Sequence, residues 1–164
     1  MHPLTLPMLA ATLLGLAACA TTRPFDTARY DARTNPAEVA ENPEFYTDAA
    51  FLWGGVIVNS VNTQNGTQIE VLAYPLDSSQ QPDTDLTPGG RFLVTDERYL
   101  ETLDYAPGRL LTVGGALTGT REGQIGDASY VYPVIRPDGL RLWPKDSQRN
   151  DPQFHIGIGA VFGR

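Results

Sequence analysis

Two long runs of this chain are rich in β-branched and apolar residues, and each is broken by a pair of adjacent glycines. The first is Phe51-Leu52-Trp53-Gly54-Gly55-Val56-Ile57-Val58-Asn59-Ser60-Val61. It reads as a strand that bends or bulges at its glycines. The second, Arg109 to Gly119, sets Leu111, Val113 and Leu117 on one face and bends again at Gly114-Gly115. Bends of this kind let a small sheet curl until it closes, and closure removes the sticky edges that an open sheet exposes.

The segments between these runs supply the rest of a β fold. Asn65-Gly66 marks a hairpin turn. The strand after it alternates, with Thr67, Ile69, Val71 and Ala73 on one face and Gln68 and Glu70 on the other. Ser78 to Gly90 reads as a loop, and Arg91 to Val94 as a short strand. Asp96 to Leu103 follows with Tyr99, Leu100 and Leu103 at helical spacing, stopped by Pro107-Gly108. Tyr130–Ile135 and Leu140–Trp143 are expected to pair around a turn at Pro137-Asp138-Gly139. Upstream, Asn35-Pro36-Ala37-Glu38 starts a short helix, with Asn as cap and Glu three residues later, and Asn42-Pro43 ends it. Three strands, a helix and further strands with two glycine bends predict a mainly β fold. The expected architecture is a small OB-like Greek-key β-barrel with one or two short helices.

The N-terminal segment is of another kind. Leu4 to Ala18 is apolar and free of charge, too short to span a bilayer at about 20 residues, and ends in Leu16-Ala17-Ala18 before Cys19, the sole cysteine. This resembles the lipobox of bacterial lipoproteins, in which a peptidase cuts before a cysteine carrying diacylglycerol, with palmitate-type acylation to follow. More than one acyl chain makes such an anchor stable. The organisation expected is a lipoprotein signal peptide over 1–18, a tether over 19–34, the barrel domain over 35–145, and a linker with an apolar, Gly-rich tail over 146–164. Ala20, after the cysteine, points to the outer membrane by the sorting rule of Gram-negative lipoproteins, with the domain facing the periplasm.

Composition narrows the function. The formal net charge is −7 and Lys145 is the single lysine, which argues against nucleic acid as a partner, since that requires a clustered positive surface. Once Cys19 is acylated, no thiol remains for a disulfide or for catalysis. Only His155 lies beyond the signal segment, so neither a catalytic triad nor a histidine metal site is expected. Asp77, Asp83 and Asp85 lack the register of a calcium loop and read as solvated loop residues. Gly119, Gly123 and Gly126 read as a turn between strands rather than a phosphate cradle. No catalytic residue, metal or cofactor is expected, and the sparse acid–base residues disfavour a hydrolase.

With these residues in hand, the chain resembles the Slp family of outer-membrane lipoproteins, named for a starvation-inducible protein. The matching pieces are the lipobox, Pro36-Ala37-Glu38-Val39, Asn42-Pro43, Tyr46, Trp53-Gly54-Gly55-Val56-Ile57, Asn59 and Ile69 to Asp77. They continue through Gly90-Arg91-Phe92, Gly108-Arg109, Thr112-Val113, Tyr130, Tyr132-Pro133-Val134 and Leu142-Trp143. The family's glycine and basic residues before Trp-Gly-Gly are replaced by Thr47-Asp48-Ala49-Ala50, and its Leu-Asp-Pro by Leu100-Glu101-Thr102. The resemblance implies an envelope location, a membrane attachment through Cys19 and a probable fold, and it implies no reaction.

Two further features bear on binding. Trp53, Tyr74, Tyr130, Tyr132 and Trp143 lie near strand ends or prolines, where aromatic rings either pack the barrel or stack on a glycan. Trp53, Tyr74, Tyr132 and Trp143 are therefore the candidate ligand-binding residues, and Glu70 beside Arg91 or Arg109 is a candidate polar cluster. In the tail, Phe154, Ile156, Ile158, Ala160 and Phe162 fall on one side of an extended chain. That edge suits docking on its own domain, or else on the sheet of an envelope protein or on lipid. The function expected is a non-catalytic envelope binding or structural module, stress- or starvation-related as the resemblance implies; the alternative is a carbohydrate- or peptidoglycan-binding module.

Overall fold

The computed structural model describes residues 23–145. Cys19, His155 and the apolar edge at 154–162 lie outside the described residues. Five strands carry the architecture: β1 (Ala50–Thr63), β2 (Gly66–Tyr74), β3 (Arg91–Asp96), β4 (Leu110–Ile125) and β5 (Ala128–Leu142). They close into a barrel in the order β1-β2-β3-β5-β4. Every neighbouring pair is antiparallel except β3 and β5, which run parallel. This strand order makes the fold the small OB-like Greek-key barrel that the bent strands lead one to expect.

Closure falls on β1. Its residues 54–63 pair with β2 and its residues 50–56 with β4, so Gly54, Gly55 and Val56 belong to both ladders. A Cβ on Gly55 would stand 1.9 Å from the Leu72 carbonyl oxygen, and one on Gly54 2.8 Å from that of Leu111. The first glycine pair thus admits close backbone approach, and the bulge itself comes later, between Ile57 and Asn59. The second pair coincides with a register shift of β4 against β5 at Gly114/Gly115.

The alternation of the strands fills the interior. Ile57, Ile69, Val71, Phe92, Val94, Leu111, Val113 and Ile135 form one buried cluster with Phe51 and Trp53. Val39, fully buried, joins it from α1 (Pro36–Glu41). That helix starts as its sequence predicts: the Asn35 side chain accepts from the Glu38 N–H at 3.0 Å and donates to the Glu38 carboxylate at 2.5 Å. A 3₁₀ turn, Pro43–Tyr46, follows it, and Tyr46 sets its ring edge against Phe51.

Four local expectations are corrected. Residues 97–109 hold no helix. The Asp96 carboxylate binds the Arg98 N–H and guanidinium, and the Leu100 N–H donates to the Thr67 hydroxyl on β2, so these backbone groups are committed elsewhere. A single turn survives at Glu101–Tyr105, while Tyr99 and Leu103 stay exposed with no apolar cover. Pro137-Asp138-Gly139 is a bulge within a continuous β5, because Gly114 pairs with Gly139 and Gly115 with Pro137, leaving Asp138 extra. Gly119 and Gly123 lie inside β4, which runs on to Ile125, and Gly126 alone of the three sits in the turn. Finally, the segment assigned to a tether is bound to the barrel from Arg23 onward. Asp31 exchanges backbone hydrogen bonds with Ala50 and Leu52, and the Trp53 indole donates to the Thr34 carbonyl at 2.7 Å.

Because strand β1 has no room at its shared stretch, Gly55→Ala is expected to lower unfolding stability by about 1–3 kcal/mol. The urea midpoint should fall while the slope stays the same; an unchanged midpoint would show that the glycine pair is not what permits closure.

Candidate functional site

The outer face of strands two and three is where OB barrels receive sugars and oligonucleotides. Here that face is covered by the chain's own β4–β5 hairpin. Strand β4 shifts register between Leu117 and Gly119, where Gly119 takes φ +134°, and the hairpin then turns back over β2 and β3. Arg121 donates to the Gln68 side-chain oxygen, the Tyr132 hydroxyl meets Glu70 Oε1 at 3.2 Å, and the Tyr130 hydroxyl accepts the Arg91 N–H at 2.7 Å. Beneath these polar ties Leu93, Tyr132 and Val134 are buried together, with Ile125 and Tyr130 packed alongside.

Glu70 has taken Arg91 as its partner, at 2.7 Å. Arg109, the other candidate, instead donates to the carbonyls of Asp104 and Trp143 and pins the end of β5. Burial, then the adjacent Glu70 carboxylate, push the Tyr132 hydroxyl pKa up. The phenol therefore stays protonated and serves as a donor.

The four candidate aromatic residues do not form one surface. Trp53 is buried, stacked on Phe51 at 4.5 Å between ring centroids and set edge-on to Phe92. Tyr132 is buried under the hairpin. Trp143 is buried against β4, its indole donating to the Thr112 hydroxyl at 3.0 Å, with the Arg141 guanidinium over its ring. Only Tyr74 is half-exposed. It meets Trp53 in the wall of a groove of about 340 Å³ between the N-terminal segment, β1 and the end of β2. Leu52, Leu76, Pro75 and Pro88 make the rest of that wall apolar, and Arg33, Thr34 and Asn35 supply its polar rim. The sequence signal for this groove is Pro75 beside Tyr74, whereas Arg33 and Thr34 reach it through the docking of a segment expected to be a tether.

The acidic loop residues act locally. Asp77 Oδ1 accepts from the Ser79 and Gln81 N–H groups and the Ser79 hydroxyl, and Asp83 Oδ1 from the Asp85 N–H. Partial burial works against ionisation of Asp77, but the hydrogen bonds from Ser79, Gln81 and Gln80 outweigh it and hold its carboxyl below the usual range. Among the described residues, no three His, Cys, Asp or Glu side chains gather as a metal ion would require.

If the hairpin is packed as the geometry shows, two substitutions at Tyr132 should differ widely. Tyr132→Phe loses one hydrogen-bonding hydroxyl, at about 1 kcal/mol, and Tyr132→Ala a buried ring, at about 3–5 kcal/mol. Equal and small losses in urea titrations would mean that the outer face is open.

The sequence model of the Outer membrane lipoprotein Slp family matches residues 16–161. An uncharacterized protein of Haemophilus influenzae is 43% identical over 91 residues, covering 55% of this chain and 49% of that one. The uncharacterized lipoprotein YeaY of Escherichia coli K12 is 30% identical over 131 residues, covering 76% and 67% respectively. The outer membrane protein Slp of the same organism is 26% identical over 113 residues, covering 69% and 60%. The chain thus spans about half the length of the Haemophilus relative. Among solved structures, the yeast mitochondrial single-stranded DNA binding protein Rim1 aligns with TM-score 0.37 at 13% identity, covering 58% of this chain and 94% of that one. A small single-stranded DNA-binding protein from Streptomyces coelicolor aligns with TM-score 0.34 at 17% identity, over the same shares. Likeness at that level says nothing about ligands, and the fold assignment rests on strand order.

Proposed function

The chain belongs to the Outer membrane lipoprotein Slp family, and we propose that it is a non-catalytic envelope module, acylated on Cys19 and facing the periplasm. The observation that carries this reading is the self-covered barrel. The β4–β5 hairpin occupies the face that OB barrels offer to ligands. The polar side chains gathered there are tied into structural bonds rather than presented to a substrate. The acidic net charge supports the same reading over nucleic-acid binding.

A second reading, carbohydrate or peptidoglycan binding, is favoured by one feature, the groove that brings Trp53 and Tyr74 into a common wall beside Arg33 and Asn35. Such a pocket, mostly apolar with a few placed polar groups, is the usual form of a small-ligand site.

Cys19→Ala should leave the protein unprocessed or move it from the membrane to the soluble fraction, and a variant that is cleaved as before and still fractionates with the membrane would contradict the anchor. Tyr74→Ala, at a half-exposed position, should weaken binding of soluble peptidoglycan fragments at least tenfold if the groove is a glycan site. Binding equal to that of the unaltered protein would dismiss the second reading.

A further inference from the structure

The segment that follows the acylation site is fastened to the barrel by an unusual buried clasp. Gln80 is 3% exposed and takes φ +68°, a left-handed conformation that non-glycine residues seldom adopt. Its side chain exchanges two hydrogen bonds with the backbone of Phe25: the Phe25 N–H donates to Oε1, and Nε2 donates to the Phe25 carbonyl, each at 2.9 Å. The Gln80 carbonyl in turn accepts the hydroxyl of fully buried Thr112 at 2.7 Å. The Phe25 ring rests on a floor of glycine, for a Cβ on Gly114 or Gly139 would stand 3.0 or 3.1 Å from it. Arg23 Nε donates to the Ser78 carbonyl at 3.2 Å, so the segment is already held at the first described residue.

We infer that this clasp holds the barrel flush against the lipid in one orientation, with the end bearing Arg23 and the 77–80 loop turned toward the membrane. The inference rests on the acylation of Cys19 proposed above. A free chain from Cys19 to Thr34 would reach about 50 Å, and the barrel could then tumble away from the surface. Fastened at Arg23, the attachment reaches only about 14 Å, less than half a bilayer's thickness. The partner surface is therefore the phospholipid headgroup layer, and the region around Ser78 is the interface. The β1–β2 turn at Gln64-Asn65, at the far end of β1 from the Asp31–Phe51 bridge, is directed away from the membrane.

The test uses the acylated full-length protein in phosphatidylethanolamine–phosphatidylglycerol vesicles carrying a headgroup-level quencher. Single fluorophores are placed through Ser78→Cys or Asn65→Cys, both at exposed positions. Ser78 should be quenched several-fold more than Asn65, and a flexible Gly-Ser insert of about 15 residues between Thr22 and Arg23 should make the two sites alike. Protein that floats with vesicles but shows equal quenching without the insert overturns the fixed orientation alone. Protein that does not float overturns the acylation reading and this inference with it.

Discussion

Barrel closure through β1 is the constraint on which the other features depend. One strand must pair with β4 over its first half and β2 over its second, and the overlap leaves no volume for a side chain at Gly55. A strand bent this way brings Phe51 and Trp53 inward, where they stack on each other and Trp53 meets Phe92 from β3. The second glycine pair has a different task. Gly114 lies at a register shift and also gives Phe25 and Tyr30 a seat, so one bend serves both the sheet and the segment laid across it.

A buried polar chain then couples the elements that strand pairing alone does not join. The Trp143 indole donates to Thr112, Thr112 to the Gln80 carbonyl, and the Gln80 amide exchanges bonds with Phe25. Each such bond contributes about 1 kcal/mol net, but leaving one buried partner unsatisfied costs about 1–3 kcal/mol. The network therefore favours all of its members being in place together. The β4–β5 hairpin is held by a parallel device, with Tyr130, Tyr132 and Arg121 tying it to β2 and β3 over an apolar layer. Membership in a family of outer membrane lipoproteins fits a compact unit whose N-terminal segment and outer hairpin are both packed down.

Features set by local chemistry were legible in the residues. The glycine pairs, the alternation from Thr67 to Ala73 and the Asn35 cap each follow from rules acting within a few positions, and the barrel follows from their order. What escaped reading depends on partners far along the chain. Thr67 takes the Leu100 N–H that a helix would need, across 33 residues. The Pro137-Asp138-Gly139 turn signal is overridden because β4 is long enough to pair on both sides of it. Polar composition made residues 23–34 look like a tether, whereas Gln80, 55 residues beyond Phe25, binds their backbone. Of the candidate aromatic residues, Trp53, Tyr132 and Trp143 were drawn into packing, as large rings in small barrels commonly are, and Tyr74 alone kept an open edge.

The Gln80 and Tyr130 hydrogen bonds make the N-terminal segment, the barrel and the hairpin one cooperative unit. Amide hydrogen exchange under native conditions addresses it residue by residue. The Phe25 and Arg91 N–H groups, bound to Gln80 and Tyr130, should be protected nearly as strongly as that of Ile57 in the wall of the barrel. Rapid, unprotected exchange at Phe25 and Arg91 beside a protected Ile57 would contradict it.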